Sequence, residues 1–249
     1  MREYGLIGYP LSHSFSQKYF TQKFEVEGIA DAVFHAFAIP SINDLSQTLK
    51  AHPLLKGFAI TIPYKRSVIN FLDEASDAVK KMDACNCVKI KDGKLYGYNT
   101  DVIGFEKSFI KHLQPRHTKA LILGTGGASS AVEFVLNKLY IHYAFVSRTK
   151  DASKNILSYD DVNDALLSEY TIIVNCTPLG TYPSVEAAPA IPYAALTPSH
   201  YLFDLVYNPA KTKFLSLGEQ QGAAIENGAE MLVLQAEENW KIWNEELES

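Results

Sequence analysis

This chain of 249 residues has few cysteines, no net positive charge and no long apolar run. The three cysteines, Cys85, Cys87 and Cys176, form an odd and sparse set. Such a set can build neither a disulfide framework nor a four-ligand zinc site. We therefore expect a reduced cytoplasmic protein, and we predict no metal site. Cys85 and Cys87, on either side of Asn86, are expected to be packing residues.

The charge balance and the apolar pattern argue against further classes of protein. A formal net charge of −5 provides no basic surface for nucleic acid. No apolar run approaches membrane-spanning length, so we expect no membrane partner. The first apolar stretch is too short for a signal peptide and contains Glu3. With 47% hydrophobic and 20% charged residues, the composition is that of an ordinary globular protein.

What the sequence does contain is a regular alternation of strand and helix patterns. Apolar, β-branched segments predict strands at residues 4–8, 32–38, 57–62, 84–90, 94–98, 120–123, 142–146, 171–175, 201–205 and 223–226. Helical patterns follow residue 16 and cover 42–51, part of the seventies, 104–112, 131–139 and the chain from about 230 onward. This alternation indicates βαβ units and parallel sheets, so the predicted fold class is α/β.

A glycine turn after the strand at 120–123 is typical of dinucleotide binding. Gly124 permits a tight turn and Gly126 lets the backbone approach a pyrophosphate, while the following helix offers unpaired N–H groups to that anion. Ser129 stands where the usual fingerprint has a third glycine. The glycine turn by itself is therefore a weak signal, because any tight strand-to-helix turn can use it.

The end of the next strand distinguishes between two cofactors. Enzymes that use NAD place an acid there, whereas this chain has Ser147, Arg148 and Thr149. Arg148 can stack on adenine and pair with a 2′-phosphate, which the two hydroxyls can also bind. Lys150 and Lys154 add positive charge nearby. The pattern predicts NADP, and the alternative is a solvated basic loop.

Two candidate groups for proton transfer lie in the first half of the chain. Lys65 follows the C-terminal end of a predicted strand, and Asp101 precedes a predicted helix. Open α/β sheets gather their sites at such strand ends, and a Lys–Asp pair can exchange a proton with an alcohol. Taken singly, Lys65 also fits a surface lysine and Asp101 an ordinary helix N-cap.

Short motifs along nearly the whole chain occur in the order seen in shikimate dehydrogenases. They are SHSFS at 12–16, TIPYK at 61–65, ACNC at 84–87, NTD at 99–101, the glycine turn, SRT at 147–149, NCTPLG at 175–180, DLVY at 204–207 and MLVLQA at 231–236. Each motif is unspecific, but the ordered combination is specific. The chain thus resembles this family, which implies reversible reduction of 3-dehydroshikimate to shikimate with NADP in the shikimate pathway of aromatic amino-acid biosynthesis.

The resemblance also implies roles for individual residues. Lys65 is the implied general acid/base, with Asp101 as its partner. The implied substrate-binding residues, for the carboxylate and the ring hydroxyls, are Ser14, Ser16, Thr61, Asn86, Tyr207 and Gln235. The implied cofactor-binding residues are Gly124, Thr125, Gly126, Gly127, Ala128, Ser147, Arg148, Thr149, Thr177, Leu205, Gly228 and Asp77. Asp77 equally fits an exposed helix acid.

Two domains with a cleft between them complete the implied architecture. Residues 1–101, joined by a helix at about 231–249, are predicted to form the substrate domain with a mainly parallel sheet. Residues 102–230 are predicted to form a Rossmann-like NADP-binding domain, in a monomer or homodimer. The polar segment at 113–117 is a further candidate break. The rival functions are a quinate/shikimate dehydrogenase of relaxed specificity, an amino-acid or folate-type dehydrogenase, and a non-catalytic module that keeps the fold.

Overall fold

A computed structural model describes residues 1–11 and 15–245 of the chain. It divides into two compact units, the first made of Met1–Asp101 and the chain from Val233 onward, the second of Val102–Leu232. The segment at 113–117 lies inside the second unit and does not separate the units. Within the described ranges, no helix is both long enough and apolar enough to cross a membrane.

Strands and helices alternate along most of the chain. The strands are β1 Arg2–Gly8, β2 Ala32–Ala38, β3 Leu55–Ile60, β4 Glu74–Ala75, β5 Cys87–Lys91, β6 Lys94–Tyr98, β7 Lys119–Leu123, β8 His142–Ser147, β9 Ile156–Ser158, β10 Ile172–Asn175, β11 Tyr201–Asp204 and β12 Ala224–Asn227. The α-helices are α1 Phe15–Val26, α2 Leu45–Ala51, α3 Asp77–Met82, α4 Asp101–Phe109, α5 Ser129–Lys138, α6 Asp164–Glu169, α7 Lys213–Gln220 and α8 Ala229–Asn244.

The first unit is built on a six-stranded sheet with the order β2-β1-β3-β5-β6-β4. The strands β2, β1 and β3 are parallel, as are β4 and β6, whereas β5 runs antiparallel to β3 and β6. The mainly parallel sheet predicted for this part of the chain is thereby confirmed. The tight connection between β5 and β6 turns at Asp92 and Gly93, both with positive φ, as the Asp-Gly pair predicts.

The last helix, α8, is fixed to this first sheet by an aromatic side chain. The indole of Trp243 occupies the space above Gly57 on β3, where a Cβ would overlap the ring. Its Nε1 donates a 3.0 Å hydrogen bond to the carbonyl of Val88 on β5. Tyr4 stacks on Trp243, with ring centroids 5.2 Å apart. These contacts anchor the C-terminal part of α8 against β1, β3 and β5.

The second unit is a six-stranded sheet in which every neighbouring pair is parallel, with the order β12-β11-β10-β7-β8-β9. Its central strands β7, β10 and β11 are almost wholly buried, as apolar strands covered on both faces should be. The chain moves outward in opposite directions from β7 and β10. Their C-terminal ends therefore form the switch point at which such sheets bind ligands.

Several local predictions differ from the structure for identifiable reasons. The strand predicted at 84–90 begins only at Cys87, because the main chain before it turns to meet Lys65 and Tyr98. The helical stretch in the seventies is interrupted by β4, two residues paired with β6 and too short to show a period. The strand β9 escaped prediction because three residues are too few to show a period. The helices α6 and α7, with N-caps Asn163 and Thr212, were also not predicted.

Candidate active site

Lys65 and Asp101 form a close ion pair in the first unit. The ammonium Nζ of Lys65 lies 2.6 Å from Oδ2 of Asp101, and the two side chains keep 24% and 16% of their surface exposed. Asp101 is the first residue of α4, where the helix dipole favours a negative charge. The pair is therefore shielded enough to hold its geometry and open enough to meet a small molecule.

The main chain around Lys65 is fixed by hydrogen bonds to two other segments. The N–H of Tyr64 donates to the carbonyl of Thr61 at 2.9 Å, which closes a turn directly after β3. The phenol of Tyr64 donates to the carbonyl of Ile39 at 2.6 Å. The N–H of Cys85 donates to the carbonyl of Lys65 at 2.7 Å. These bonds place the lysine at the C-terminal end of a parallel strand, as its position in the sequence predicts.

A chain of buried amide and hydroxyl groups leads from the segment before β5 to α8. The Oδ1 atom of Asn86 accepts from the N–H of Thr100 at 2.7 Å, and its Nδ2 donates to the Thr100 hydroxyl at 3.0 Å. That hydroxyl donates to Oδ1 of Asn239 at 2.7 Å, and Nδ2 of Asn239 lies 3.4 Å from Oε1 of Gln235. The structure thus connects two predicted site residues, Asn86 and Gln235, through Thr100, which directly precedes Asp101.

The other predicted residues of the first unit stand at varied positions. Thr61 follows β3, with its methyl group packed where a side chain on Gly8 would lie. Ser16 lies in the first turn of α1 and is partly buried. Ser14 falls outside the described residues. Asp77 begins α3 with an exposed side chain, and Ser76 caps the same helix.

Cys85 and Cys87 are packing residues, as the sequence predicts. Both thiols are fully buried. Burial raises the pKa of Cys85 to about 12 and that of Cys87 well above its usual range. A thiol held protonated is a poor nucleophile and a poor metal ligand. Asn86 lies between the two cysteines, and β5 begins only after it, so Cys87 is on the strand and Cys85 precedes it.

A cavity of about 440 Å³ opens at the switch point of the second unit. It is lined by the end of β8, by the loops after β7, β8 and β10, and by Tyr159 after β9. The lining residues are Gly124, Thr125, Gly126, Val146, Ser147, Arg148, Tyr159, Cys176, Thr177, Pro178 and Leu179. Its size is within the range of small-molecule and cofactor sites. The sequence predicted Gly124, Thr125, Gly126, Ser147, Arg148 and Thr177 for cofactor binding, and the fold brings them together at this cavity.

The glycine turn has the geometry of a phosphate-binding loop. Gly124 has a φ of +98°, in the left-handed region, and a Cβ there would press on the methyl group of Thr177. At Gly126 and Gly127 a Cβ would meet no described atom within 4 Å. Ser129, the departure from the usual fingerprint, is buried and donates from its hydroxyl to the carbonyl of Gly126 at 2.7 Å. A glycine at this position would only permit close packing, whereas the Ser129 hydroxyl also fixes the glycine turn through this hydrogen bond.

Arg148 is the exposed cation at the edge of this cavity. Arg148 and Tyr159 both line the cavity. Burial raises the pKa of the Tyr159 phenol, and the positive charge of Arg148 acts in the opposite direction. Lys150 lies 2.9 Å from Asp161, and Lys154 lies 3.5 Å from Asp151. The positive charge of both lysines is thus paired with a nearby acid, whereas Arg148 is an exposed cation that lines the cavity.

The two acids near Arg148 are likewise engaged by their own neighbours. Asp151 accepts from the N–H and hydroxyl of Ser153. The hydrogen bond from Lys150, together with those from the N–H and hydroxyl of Ser158, lowers the pKa of Asp161 to about 2. Both carboxylates are committed to local structure, so the strand end keeps the positive character that the absence of an acid there predicts.

A buried carboxylate that the sequence did not single out organises the loops after β10 and β11. Asp204 accepts hydrogen bonds from Nδ2 of Asn175 at 2.9 Å, from the N–H of Val206 at 3.0 Å and from the hydroxyl of Thr212 at 2.5 Å. Burial raises the pKa of Asp204 to about 6, although these donors act to lower it. Asn175 in turn accepts from the N–H and hydroxyl of Thr177.

This network explains how Thr177 acquires its position beside the glycine turn. Leu205 and Gly228 also lie close together. Their main chains approach so closely that a Cβ at Gly228 would overlap the carbonyl of Leu205. Tyr207 lies two residues beyond with an exposed ring. Thr149 and Ala128 are exposed at the ends of their loops. The motif DLVY contained the necessary signal, a polar residue ending an apolar strand, but nothing in it indicated that Asp204 is fully buried.

Comparisons with known proteins agree with this arrangement. Residues 6–88 match a family model described as the shikimate dehydrogenase substrate binding domain. The shikimate dehydrogenase (NADP(+)) of Bacillus cereus (strain G9842) is 35% identical over 256 residues, which covers 96% of this chain and 91% of the relative. Its name agrees with the enzyme class and the cofactor that the sequence predicts.

Solved structures are similar over nearly the full length of the chain. The shikimate dehydrogenase of Aquifex aeolicus is 32% identical with a TM-score of 0.85, covering 98% of this chain and 92% of that chain. The shikimate dehydrogenase of Thermus thermophilus, in complex with NADP(H) and shikimate, is 27% identical with a TM-score of 0.85, covering 100% and 95%. The predicted α/β fold class is confirmed. This chain belongs to the shikimate dehydrogenase family.

Proposed function

We propose that the protein is an NADP-dependent shikimate dehydrogenase that reversibly reduces 3-dehydroshikimate to shikimate. The observation that carries the proposal is the Lys65–Asp101 pair, 2.6 Å apart and partly exposed at the end of a parallel strand. Family membership supplies the substrate class, since the named relatives are shikimate dehydrogenases. A module without turnover would have no need for an accessible pair of this kind.

Lys65 is the proton donor and acceptor in this proposal. During reduction, the carbonyl oxygen of the substrate gains negative charge, and the ammonium of Lys65 transfers a proton to it. In the reverse direction the neutral amine accepts the proton of the alcohol. Asp101 holds the ammonium in one orientation and accepts a hydrogen bond from a neighbouring hydroxyl of the substrate. Positioned proton transfer of this kind contributes about 10²–10⁴-fold to the rate.

The remaining polar residues of the first unit are proposed to recognise the other oxygens of the substrate. Ser14 and Ser16 would bind its carboxylate, while Thr61, Asn86 and Gln235 would bind ring hydroxyls. Asn86 and Gln235 are buried and joined through Thr100 and Asn239, so their amides are pre-oriented. A site of oriented polar groups rejects analogues that lack a hydroxyl, because a buried donor or acceptor would then remain unpaired. Tyr207 would contact the carboxylate side.

The second unit has the features that a bound NADP requires. Gly126 and Gly127 leave room for a pyrophosphate against the backbone, Gly124 makes the turn, and Arg148 offers a guanidinium for the 2′-phosphate. Ser147 and Thr149 would add hydroxyl donors to that phosphate, while Thr177, Leu205 and Gly228 would line the nicotinamide half. When bound, NADPH supplies the hydride. Asp77, whose side chain is an exposed acid at the start of α3, would add a further contact to the cofactor.

The test is the absorbance of NADPH while the purified protein meets shikimate and NADP. Parallel reactions replace shikimate by quinate and NADP by NAD. A rate that is highest with shikimate and NADP supports the proposal and the phosphate-binding role of Arg148 together.

Each other outcome of this assay has a definite meaning. Faster turnover with quinate would move the protein to the quinate/shikimate alternative, and faster turnover with NAD would remove the role proposed for Arg148. The absence of a rate in every combination, from protein that still binds NADP, would support the non-catalytic alternative and overturn the proposed activity.

A further inference from the structure

Three side chains with metal-ligating atoms meet on the first unit, in a group that the proposed activity does not use. They are Glu3 on β1, His35 on β2 and His52, directly after α2. Oε2 of Glu3 lies 2.8 Å from Nδ1 of His52 and 3.8 Å from Nε2 of His35. The three ligating atoms all lie within 4.8 Å of one another.

The parallel pairing of β1 and β2 explains how these residues come together. His35 pairs with Gly5, and Glu3 lies two residues before Gly5. Glu3 and His35 therefore lie on the same face of the sheet. Gly5 has no side chain, and the ring of Phe37 occupies the space where a Cβ would stand. The ladder to β3 shifts register between Glu3 and Tyr4, an irregularity of the kind that re-aims side chains.

His52 reaches the group from a turn that is itself hydrogen-bonded to the sheet. The N–H of Leu55 donates to the carbonyl of His52 at 3.1 Å, and the N–H of Glu3 donates to the carbonyl of Leu54 at 3.2 Å. The ring of Phe37 lies 4.8 Å from the ring of His52, measured between centroids, and forms an apolar wall on one side. The three ligands therefore rest on ordered backbone rather than on long free loops.

One atom of the group is unexplained by the protein alone. Nε2 of His35 is buried, yet no described residue gives it a hydrogen-bond partner. The 3.8 Å to Glu3 is too long for a hydrogen bond. Buried polar atoms without a partner are uncommon, and a bound water or ion is a usual explanation. The rest of the His35 ring is accessible to solvent, because this side chain keeps 33% of its surface exposed.

We propose that Glu3, His35 and His52 bind a divalent transition metal of the Zn²⁺ type, with water as the fourth ligand. Two imidazoles and one carboxylate suit such an ion, whereas Mg²⁺ and Ca²⁺ require oxygen ligands. Bond lengths of about 2.0–2.1 Å place tetrahedral ligand atoms about 3.3 Å apart. The observed separations of 2.8 and 3.8 Å lie on either side of that value. The metal would tie β1, β2 and the turn after α2 together.

This site could not be predicted from the sequence, because its residues are far apart and follow no familiar ligand spacing. It is distinct from the cysteines, whose number excluded a four-ligand zinc site. It is also independent of the proposed dehydrogenase activity, so each proposal can fail without the other.

The experiment titrates untagged, chelator-treated full-length protein with Zn²⁺ in competition with a chromophoric chelator, and with Co²⁺ to record its visible spectrum. The variants are Glu3→Gln, His35→Gln, His52→Gln and, as a matched control, His142→Gln, an exposed histidine on β8. We expect one equivalent of Zn²⁺ to bind the parent protein and a Co²⁺ spectrum of tetrahedral intensity. Each cluster variant should lose at least about tenfold in affinity, and His142→Gln should match the parent.

A second measurement needs no substitution and so does not depend on the variants folding. Diethyl pyrocarbonate modifies accessible imidazoles, and mass spectrometry locates the modified residues. One equivalent of Zn²⁺ should protect His52 and leave His142 reactive. The proposal would be overturned by no stoichiometric binding to the parent, by an affinity in His35→Gln and His52→Gln as high as that of the parent, or by equal protection of His52 and His142. Each of these results would leave a simple hydrogen bond between Glu3 and His52.

Discussion

The amide of Asn175 donates a 2.9 Å hydrogen bond to the buried carboxylate of Asp204, and this bond joins the ends of two neighbouring strands of the second sheet. Asn175 also accepts from Thr177 at the cavity, and Asp204 accepts from Thr212 at the start of α7. The carboxylate of Asp204 thus connects the cavity wall at Thr177 to the start of α7. Because Asp204 is fully buried, its charge state affects the stability of the whole arrangement.

The first prediction concerns Asp204→Asn and pH. Burial raises the pKa of Asp204 from 3.8 to about 6, so its contribution to stability is complete below about pH 4 and is lost as pH rises through about 6. Asparagine stays neutral and can accept from Asn175 and donate to Thr212. Relative to the parent, the variant should gain up to about 3 kcal/mol of unfolding free energy between pH 4 and pH 7.5.

Urea unfolding of both proteins at the two pH values measures this difference directly. Carboxylates whose pKa is lowered in the fold, such as Asp161, contribute equally to the pH dependence of both proteins, so their contribution cancels in the comparison. A difference between variant and parent that is the same at both pH values would mean that the pKa of Asp204 is not raised.

The second prediction concerns Lys65→Ala. Removal of the ammonium that lies 2.6 Å from Asp101 should lower kcat by about 10²–10⁴-fold, with a smaller change in KM for shikimate. Lys94→Ala, an exposed lysine at the start of β6 in the same unit, is the matched control and should keep the parent kcat. Steady-state kinetics in both directions give the answer. A near-normal kcat in Lys65→Ala would exclude this lysine as the general acid/base.

The third prediction concerns cofactor choice at Arg148. Because Lys150 is paired with Asp161, Arg148 is expected to carry most of the interaction with the 2′-phosphate. Arg148→Gln should raise KM for NADP by about 10–100-fold, as the loss of a charge-assisted hydrogen bond of about 1.5–3 kcal/mol implies. KM for NAD should change little. Lys150→Gln, the control, should alter KM for NADP by no more than about threefold.

Initial rates at varied concentrations of NADP and NAD separate these effects. Equal losses with both cofactors in Arg148→Gln would place the arginine against a part that NADP and NAD share, such as adenine, and not against the 2′-phosphate.

The fourth prediction uses two glycines with opposite surroundings. At Gly126 a Cβ would meet no described atom within 4 Å, so Gly126→Ala should change the free energy of unfolding by no more than about 0.5 kcal/mol. The added methyl group would nevertheless occupy the space proposed for the pyrophosphate, and NADP affinity should fall at least about tenfold. Gly228→Ala, in contrast, should destabilise the protein by about 2 kcal/mol or more, because its Cβ overlaps the carbonyl of Leu205.

Calorimetric titration with NADP and urea unfolding together distinguish the two variants. Unchanged NADP affinity in Gly126→Ala would show that the backbone at this glycine does not approach the cofactor, whatever the stability of the variant.

The local chemistry of the protein was contained in its sequence. The alternation of apolar strands with helices determined the α/β class, and the turn at Gly124 with Arg148 beyond the next strand predicted both the loop and the cofactor. Lys65 and Asp101 were candidates because each stands at the end of a regular element, and the resemblance to shikimate dehydrogenases implied their roles. The contacts proposed for the individual site residues stay predictions.

Only the tertiary structure decided which of these residues touch. Thr100 and Asn239 link Asn86 to Gln235 through bonds between segments far apart in sequence. Asp204 is fully buried where Asn175 and Thr212, which are also distant in sequence, donate hydrogen bonds to its carboxylate. The meeting of Glu3, His35 and His52 likewise depends on strand register. Local pattern determines which face a side chain occupies, but long-range pairing determines its neighbours, and hydrogen bonds and pKa shifts depend on those neighbours.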